Sequence, residues 1–528
     1  MIVEEQKKTR YKISYIFSIL KMALATFSSR ILGLVREQVM AAMFGVSIVT
    51  DAFNVAFRIP NVLRDLFAEG VFSAAFVPIF TEVLQDDEKK ARELFGSVAL
   101  FLLLITGIIS LCIIFFAPEL VGLYAASFKN NADQFNLAVT LVRLMAPFLT
   151  LVSLAALLMG VLNTLKVFFI PSLAPAFFNL LMILSMVLFP PLFKKWGFHQ
   201  GLSMGFGVIL GGMAQLCIQI PFIYYKKFGP LKPKGLISKG TSKVFRRVGI
   251  GTIGIAATQI NILITTFLAT STIVGAVSWL NYAFRLFQFP VGVLGVSIAG
   301  SNLVHFSASW KKGDKKRAIS FLKASYFISF LVLTPSLALL YSMAKPSIHL
   351  IFERGAFVAH DTEQSTLALK MYLLGLPFYG CYKVFSPTFY TLDRPKIPVV
   401  ISMICIGLNI IFCLVFVEKF GFHILALGTS LSMGLNIICQ SVLLKKILEL
   451  PLNFFINLKM IKIGLSGLFT YFITDYAVRN YFDYTMTFSS KFFYFCLIGI
   501  FGFLAYTFFL FSMGEFAELK KFMAKRVL

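Results

Sequence analysis

Five ionisable residues and a proline stand within one otherwise apolar stretch, TDAFNVAFRIPNVLRDLFAEG (50–70): Asp51, Arg58, Arg64, Asp65, Glu69 and Pro60. At about 100° per residue, Asp51, Asn54, Arg58, Asn61, Asp65 and Glu69 share one stripe of a helix, with Arg64 flanking it. A preceding set, Ser28, Ser29, Arg30, Gly33, Arg36 and Glu37, places Arg30 and Glu37 seven residues apart on a shared face. Further basic residues, Lys21, Arg143, Arg285, Lys323, Lys370 and Lys383, also fall inside apolar stretches. An arginine fork suits the planar, two-point binding of phosphate oxygens and keeps its charge at any accessible pH. A charged residue at the centre of a bilayer costs about 2.5–3.5 kcal/mol, so this many are not expected to face lipid. They predict a solvated cavity with a positive surplus and an anionic substrate, in which Asp65 and Glu69 act as counter-ions. Asp51, Arg36 and Glu82 lie near span ends, and for them snorkelling or internal pairing is a comparable reading.

Other chemistries find little support. Asp65 and Glu69 are i,i+4 neighbours but lie close to arginines, and no convincing acid, base or metal set for an enzyme is present. No G-x-x-x-x-G-K-[ST] motif occurs. The seven cysteines form no C-x-x-C pair, and the five histidines lack ligand spacing, so neither a disulfide framework nor a metal site is expected.

Positioning these residues requires a membrane. The chain has 528 residues, 58% hydrophobic and 14% charged, with a mean hydropathy of +0.83, which excludes a soluble domain. Apolar stretches of spanning length recur from end to end, and about fourteen transmembrane helices are expected. The first follows a basic leader (Lys7, Lys8, Arg10, Lys12) without a small-residue cleavage site and reads as a retained helix. The net charge of +25 is concentrated on alternate loops, chiefly KKFGPLKPKGLISKGTSKVFRR (226–247) and KKGDKKR (311–317). By the positive-inside rule both termini are cytoplasmic, and these clusters meet anionic membrane lipids rather than nucleic acid.

The chain also matches itself at one offset. AFRIP (56–60) resembles AFRLF (283–287), Asp87 and Lys89 to Ala91 match Asp314 and Lys316 to Ala318, and TLKVFFIP (164–171) resembles TLDRPKIP (391–398), each 227 residues apart. An all-α polytopic fold of two parallel six-helix lobes plus two C-terminal helices follows. The expected divisions are a leader (1–12), an N-lobe (13–226), a basic linker (227–243), a C-lobe (244–446), the last two spans (447–514) and a cytoplasmic tail (515–528).

Longer motifs are more specific. SSRILGLVRE (28–37), TDAFNVAFRIPNVLRDLFAEGVFSAAFVPIF (50–80), GAVSWLNYAFRLFQFPVGVLGVSIA (275–299), LIFERGAFVAHDT (350–362) and YLLGLPFYGCYKVFSPTFYTLDRPKIPV (372–399) together resemble the MurJ (MviN) family of the MOP exporter superfamily. The resemblance implies a flippase for lipid II, the peptidoglycan precursor, in the bacterial inner membrane. It implies that Arg30, Arg36, Arg64 and Arg285, with Ser29 and Asp51, line the substrate cavity, and that the last two spans form a groove for the polyprenyl tail. Arg58, Asn61, Asp65 and Glu69 would support them. Two departures stand out: Phe284 occupies a position commonly acidic in the family, and Val304 one that is usually proline.

The expected mechanism is alternating access, with no catalytic residue and no cofactor. Coupling to membrane potential or to Na+ is expected for the return step, with Gln259 and Asn261 as candidate ligands against the more ordinary reading of interhelical hydrogen bonds. Lipid II, membrane lipids and other cell-wall synthesis proteins are the expected partners. The rival readings are a flippase for another polyprenyl-linked glycan and a membrane-embedded polyprenyl-diphosphate enzyme.

Overall fold

Every described residue in regular structure is helical, as the absence of water in a hydrocarbon layer requires of a chain that satisfies its own backbone groups. The computed structural model describes residues 2–67, 71–232, 239–451, 454–455 and 457–514; within these the side chains of 2–20, 23, 65–67, 71, 74, 239 and 250–258 fall outside the description. The chain divides into two compact units, Met1–Val277 and Ser278–Leu528.

The first unit contains α1 (Ile2–Phe44), α2 (Ile48–Phe67), α3 (Val71–Asp86), α4 (Glu88–Phe115), α5 (Ala117–Tyr124), α6 (Ala132–Met145), α7 (Phe148–Thr164), α8 (Phe169–Leu188), α9 (Pro190–Lys195), α10 (Leu202–Cys217), α11 (Ile220–Tyr225) and α12 (Lys239–Thr270). Here α8 lies between α1 and α10, α2 packs on α6, and α12 lies against α2, α3 and α4. Aromatic rings fill the interior: Phe72, Phe76 and Phe80 stack one turn apart at 5.4 and 4.8 Å, and Phe228 meets Phe80 edge-on at 5.9 Å. Phe228 begins a strap that returns to α4. Arg92 Nε donates to the Gly229 carbonyl at 2.9 Å, and the Leu231 amide donates to the Arg92 carbonyl at 3.2 Å. Gly96 permits that approach, because a Cβ there would collide with the Leu231 carbonyl. Gly96→Ala is therefore expected to lift the strap, read as faster proteolysis between 226 and 243 with unchanged cleavage elsewhere.

The second unit follows from α13 (Ala276–Pro290), which begins at the boundary, through α14 (Val296–Lys311), α15 (Lys315–Ser342), α16 (Ala344–Phe352), α17 (Ala359–Leu373), α18 (Leu376–Thr391), α19 (Lys396–Phe420), α20 (His423–Leu448), α21 (Leu458–Tyr481) and α22 (Phe488–Ser512). Its core gathers Phe306, Leu322, Tyr326, Phe385 and Phe389 with Phe455, and the Tyr326 hydroxyl donates to the Phe455 carbonyl at 3.1 Å. α15 packs against α14, α18 and α21. Small polar residues make the α15–α21 contact close: Ser466, Thr470 and Thr474 are buried, and the Ser342 and Thr474 hydroxyls meet at 2.7 Å.

Among the described residues, nine helical segments are long and apolar enough to cross a membrane. They are Glu88–Phe115, Ala132–Thr164, Phe169–Leu188, Leu202–Tyr225, Ala276–Lys311, Lys315–Ser342, Lys396–Phe420, His423–Leu448 and Phe488–Ser512. Several other long helices carry too many ionised groups to stand with these on hydropathy alone. α2 has Asp51, Arg58, Arg64 and Asp65, and α21 has Lys459, Lys462, Asp475 and Arg479.

Positions 227 residues apart share local geometry. Asp87 and Asp314 each cap a 28-residue helix, accepting from the Lys89 and Arg317 amides at 2.8 and 3.0 Å. Lys166 and Asp393 both adopt positive φ, 61° and 55°. Each closes its helix with the same bonds, Val167 N to Leu162 O at 2.8 Å and Arg394 N to Phe389 O at 3.0 Å, the wrap of a Schellman end. Proline acts differently at two positions: α2 runs on through Pro60, whereas Pro290 leads into a π-helical turn, Val291–Gly295, before α14.

Candidate functional site

Arg36 projects from α1 at a place where α8 lies alongside. Its Nη2 donates to Glu37 Oε1 at 2.5 Å, and its Nη1 donates to Asn179 Oδ1 of α8 at 3.1 Å. The Asn179 amide in turn donates to the Ser29 carbonyl at 3.2 Å, bracing the arginine against the turn of α1 that carries Ser29 and Arg30. The Arg36 guanidinium lies 5.9 Å from the centre of the Phe178 ring, near the outer limit for a cation–π contact. Side-chain exposure is 12% for Arg36 and 3% for Glu37. With two of its five N–H donors engaged by named side chains, Arg36 is held in one geometry with donors in reserve for an anion.

Arg30 and Glu37 share a face by their seven-residue spacing, and the structure bonds Glu37 to Arg36, its chain neighbour, because a long guanidinium stem reaches around the helix. Arg30 is exposed and Ser29 half-buried. Asn179, absent from the expected set, is the polar residue in the apolar run PAFFNLLM; that isolation within a span is the signal that marked it.

On α2, Asp51 is 2% exposed, and its Oδ2 accepts from the Gly275 amide at 2.6 Å. The carboxylate also sits in the first turn of α2 and Arg64 in its last turn, both favourable to the helix dipole. Arg58 is half-buried and faces the Tyr124 hydroxyl, which also faces Thr266 of α12. Asn61 carries a buried Oδ1 without a hydrogen-bond partner among the described residues. Arg64 is half-buried. The Asp65 side chain and Glu69 lie outside the described residues. Gln259 is 7% exposed and Asn261 half-buried, both on α12. No group of three or more metal-ligating side chains occurs among the described residues.

In the second unit, Arg285 is exposed on α13. The start of that helix is tied to α17: Trp279 Nε1 donates to Asp361 Oδ1 at 3.0 Å, and the Val358 amide donates to Asp361 Oδ2 at 3.0 Å. Trp279 also packs on Phe422 at 5.2 Å. Phe284, where an acidic residue was the family expectation, stacks with Phe287 at 5.7 Å and meets the Tyr372 ring at a tilt at 5.2 Å. An aromatic cluster thus occupies this face of α13 beside Arg285. Val304 is 65% exposed on α14.

Residues 40–499 match the family model described as lipid II flippase MurJ. The chain belongs to the MurJ family. Among curated MurJ relatives, a probable lipid II flippase from Buchnera aphidicola subsp. Acyrthosiphon pisum is 32% identical over 445 residues, covering 83% of this chain and 86% of the relative. The lipid II flippase MurJ of Burkholderia cenocepacia is 33% identical over 457 residues, 84% and 87% of the two chains. Among solved structures, a lipid II flippase MurJ in an inward closed conformation matches with a TM-score of 0.77 and 26% identity, over 93% of this chain and 99% of its own. An inward-facing multidrug resistance MATE transporter of the MOP superfamily matches at 0.69 with 12% identity, over 82% and 98%, a likeness of fold alone. The MurJ family is one of transporters rather than enzymes, and the chain is a multi-pass membrane protein.

Proposed function

We propose that the chain moves lipid II, the undecaprenyl-diphosphate-linked peptidoglycan precursor, from the cytoplasmic to the periplasmic leaflet of the inner membrane by alternating access. Membership of the MurJ family over residues 40–499 carries this reading. Within it, Arg30, Arg36, Arg64 and Arg285 attract and hold the diphosphate, with Ser29 and Asp51 in the same site. Arg58, Asn61, Asp65 and Glu69 support them. The anchorage of Arg36 by Glu37 and Asn179 favours such a role, since a preorganised guanidinium loses less freedom when it binds an anion. A substrate drives the switch only by binding the two states differently, and the arginines supply that difference by stabilising the occluded form around the diphosphate.

The helices α1, α2, α12 and α21 and the α17–α18 pair complete about fourteen spans, charged helices being tolerable where they turn away from lipid. The matched caps at Asp87 and Asp314 and the matched turns at Lys166 and Asp393 support a duplicated chain with lobes at 13–226 and 244–446. A leader (1–12) and linker (227–243) on the cytoplasmic side, a tail groove in 447–514 and a cytoplasmic tail (515–528) complete the assignment. Both termini are cytoplasmic. Membrane potential or Na+ powers the return step, with Gln259 and Asn261 as ligands in the second case, and other cell-wall synthesis proteins are the partners of the flippase.

The test replaces a cell's own lipid II flippase by this chain and scores lipid II exposed at the cell surface. Wild type is expected to restore exposure, and Arg64→Ala, at equal membrane abundance, to fail. An inserted and folded wild type that restores nothing would move the substrate to another lipid-linked glycan.

A further inference from the structure

A polar cluster far along the chain from the arginine motifs joins α22 to α16. His349, on the last turn of α16, uses both ring nitrogens. Its Nδ1 lies 2.8 Å from Glu353 Oε2, and its Nε2 lies 3.0 Å from Lys491 Nζ of α22. The Thr362 hydroxyl of α17 donates to the same Glu353 oxygen at 2.5 Å, and the His349 ring meets Tyr484 of the α21–α22 turn edge-on at 5.2 Å. The side chains of His349 and Glu353 are 11% and 23% exposed, so water contributes little to satisfying them.

The chemistry of these contacts selects one protonation state. A carboxylate only accepts and an ammonium only donates. The imidazole therefore carries its hydrogen on Nδ1, toward Glu353, and offers the Nε2 lone pair to Lys491. A second proton would sit on Nε2, remove the acceptor from Lys491 and set two positive charges about 3 Å apart, a direct repulsion. The protonated ring would keep Glu353 and expel Lys491.

We propose that His349 is a proton-operated latch, fastening the first turn of α22 to α16 while its imidazole is neutral and releasing it when the ring is protonated. Histidine is the side chain whose charge ordinarily changes between about pH 5 and 8. The other charged and titratable groups around it do not mimic this behaviour. Burial works against the Glu353 carboxylate, but the hydrogen bonds from Thr362 and His349 and the positive charge of Lys491 outweigh it and hold the group below its ordinary value. Stability owed to that lowered value is present above the ordinary carboxylate range and is lost only as the pH falls through the lowered one, outside the histidine window. Burial, with the Glu353 charge adding, pushes the Tyr484 phenol up to about 12, so it stays neutral. Lys345 lies over the Tyr484 ring at 5.3 Å and pairs with Glu363 at 3.2 Å. Arg354 donates to the Leu350 carbonyl, and Asp483 accepts from the amide and hydroxyl of Thr485. On α15, Tyr341 lies under Lys370.

By counting spans the latch falls on the periplasmic face, where a response to external acidity would act on the helices assigned to the lipid tail. That placement rests on the proposed function, but the latch itself does not.

The decisive measurement is hydrogen exchange on the full chain in phospholipid nanodiscs. It is expressed as protection factors, which remove the pH dependence of the chemical exchange rate. The amides of 492–495 report the latch, because helix geometry bonds them to the carbonyls of the first turn. In wild type their protection should fall about tenfold between about pH 8 and pH 5.5, the effect of losing one hydrogen bond to a charged group. His349→Gln, which retains polar contact but does not titrate, should show the same protection at both values. Lys491→Met should show the low value at both. Constant amide protection in α15 confirms the fold in each case. Equal wild-type protection at the two pH values, or a drop that persists in His349→Gln, would overturn the latch. The wild-type comparison decides alone if a variant fails to insert.

Discussion

Arg36→Ala is expected to abolish transport, reducing surface-exposed lipid II at least about tenfold at equal membrane abundance, since hydrogen bonds to a charged group contribute about 1.5–3 kcal/mol each. The substitution also removes the cation bonded to Glu37, which is 2% exposed. Breaking such a buried pair from one side destabilises by about 3–5 kcal/mol, so loss of activity alone would not separate binding from folding. The double variant Arg36→Ala/Glu37→Gln separates them. Neutralising Glu37 removes the uncompensated buried charge, so thermal unfolding in detergent should return part of the way toward wild type while transport stays lost. Arg36→Lys keeps the charge but not the planar fork that reaches Asn179 and Glu37 together, and should recover only part of the activity. Transport recovered in the double variant would show that Arg36 is structural and that the diphosphate is held elsewhere.

Asp361→Ala is expected to produce the largest loss of stability in the second unit. The carboxylate accepts from the Trp279 indole and from the Val358 amide, each at 3.0 Å, and is itself 5% exposed. Alanine leaves the indole N–H buried without its acceptor and removes a negative charge from the first turn of α17, together about 3–4 kcal/mol. Asp361→Asn retains one acceptor and should lose less than half of that. The unfolding midpoint of the purified protein reads both. Because Trp279 opens the helix that carries Arg285, transport should fall with it. An unchanged midpoint in Asp361→Ala would mean that packing of Trp279 on Phe422, and not the carboxylate, anchors α13.

Much of the architecture was legible because its causes are local. A bilayer forces helices, so hydropathy alone identifies the class, and a capping aspartate acts on amides two or three residues away. The pairs Asp87/Asp314 and Lys166/Asp393 could therefore be aligned at 227 residues before any geometry was known, and the shared motifs pointed to the MurJ family. A window average of hydropathy separates α2 and α21 from the nine apolar segments, because each carries four charged side chains.

What the tertiary structure alone decided is which groups meet. Asn179 and Arg36 are 143 residues apart, Trp279 and Asp361 82, and His349 and Lys491 142; no periodicity relates such positions. A helical wheel aligned Arg30 with Glu37, yet the flexible stem of Arg36 takes Glu37 while Asn179 fixes the other edge of its fork. A sequence determines the face from which a side chain leaves its helix, because backbone geometry sets that direction. The partner it finds depends on which neighbouring helix arrives within about 3 Å, and that distance is set by the packing of the whole unit.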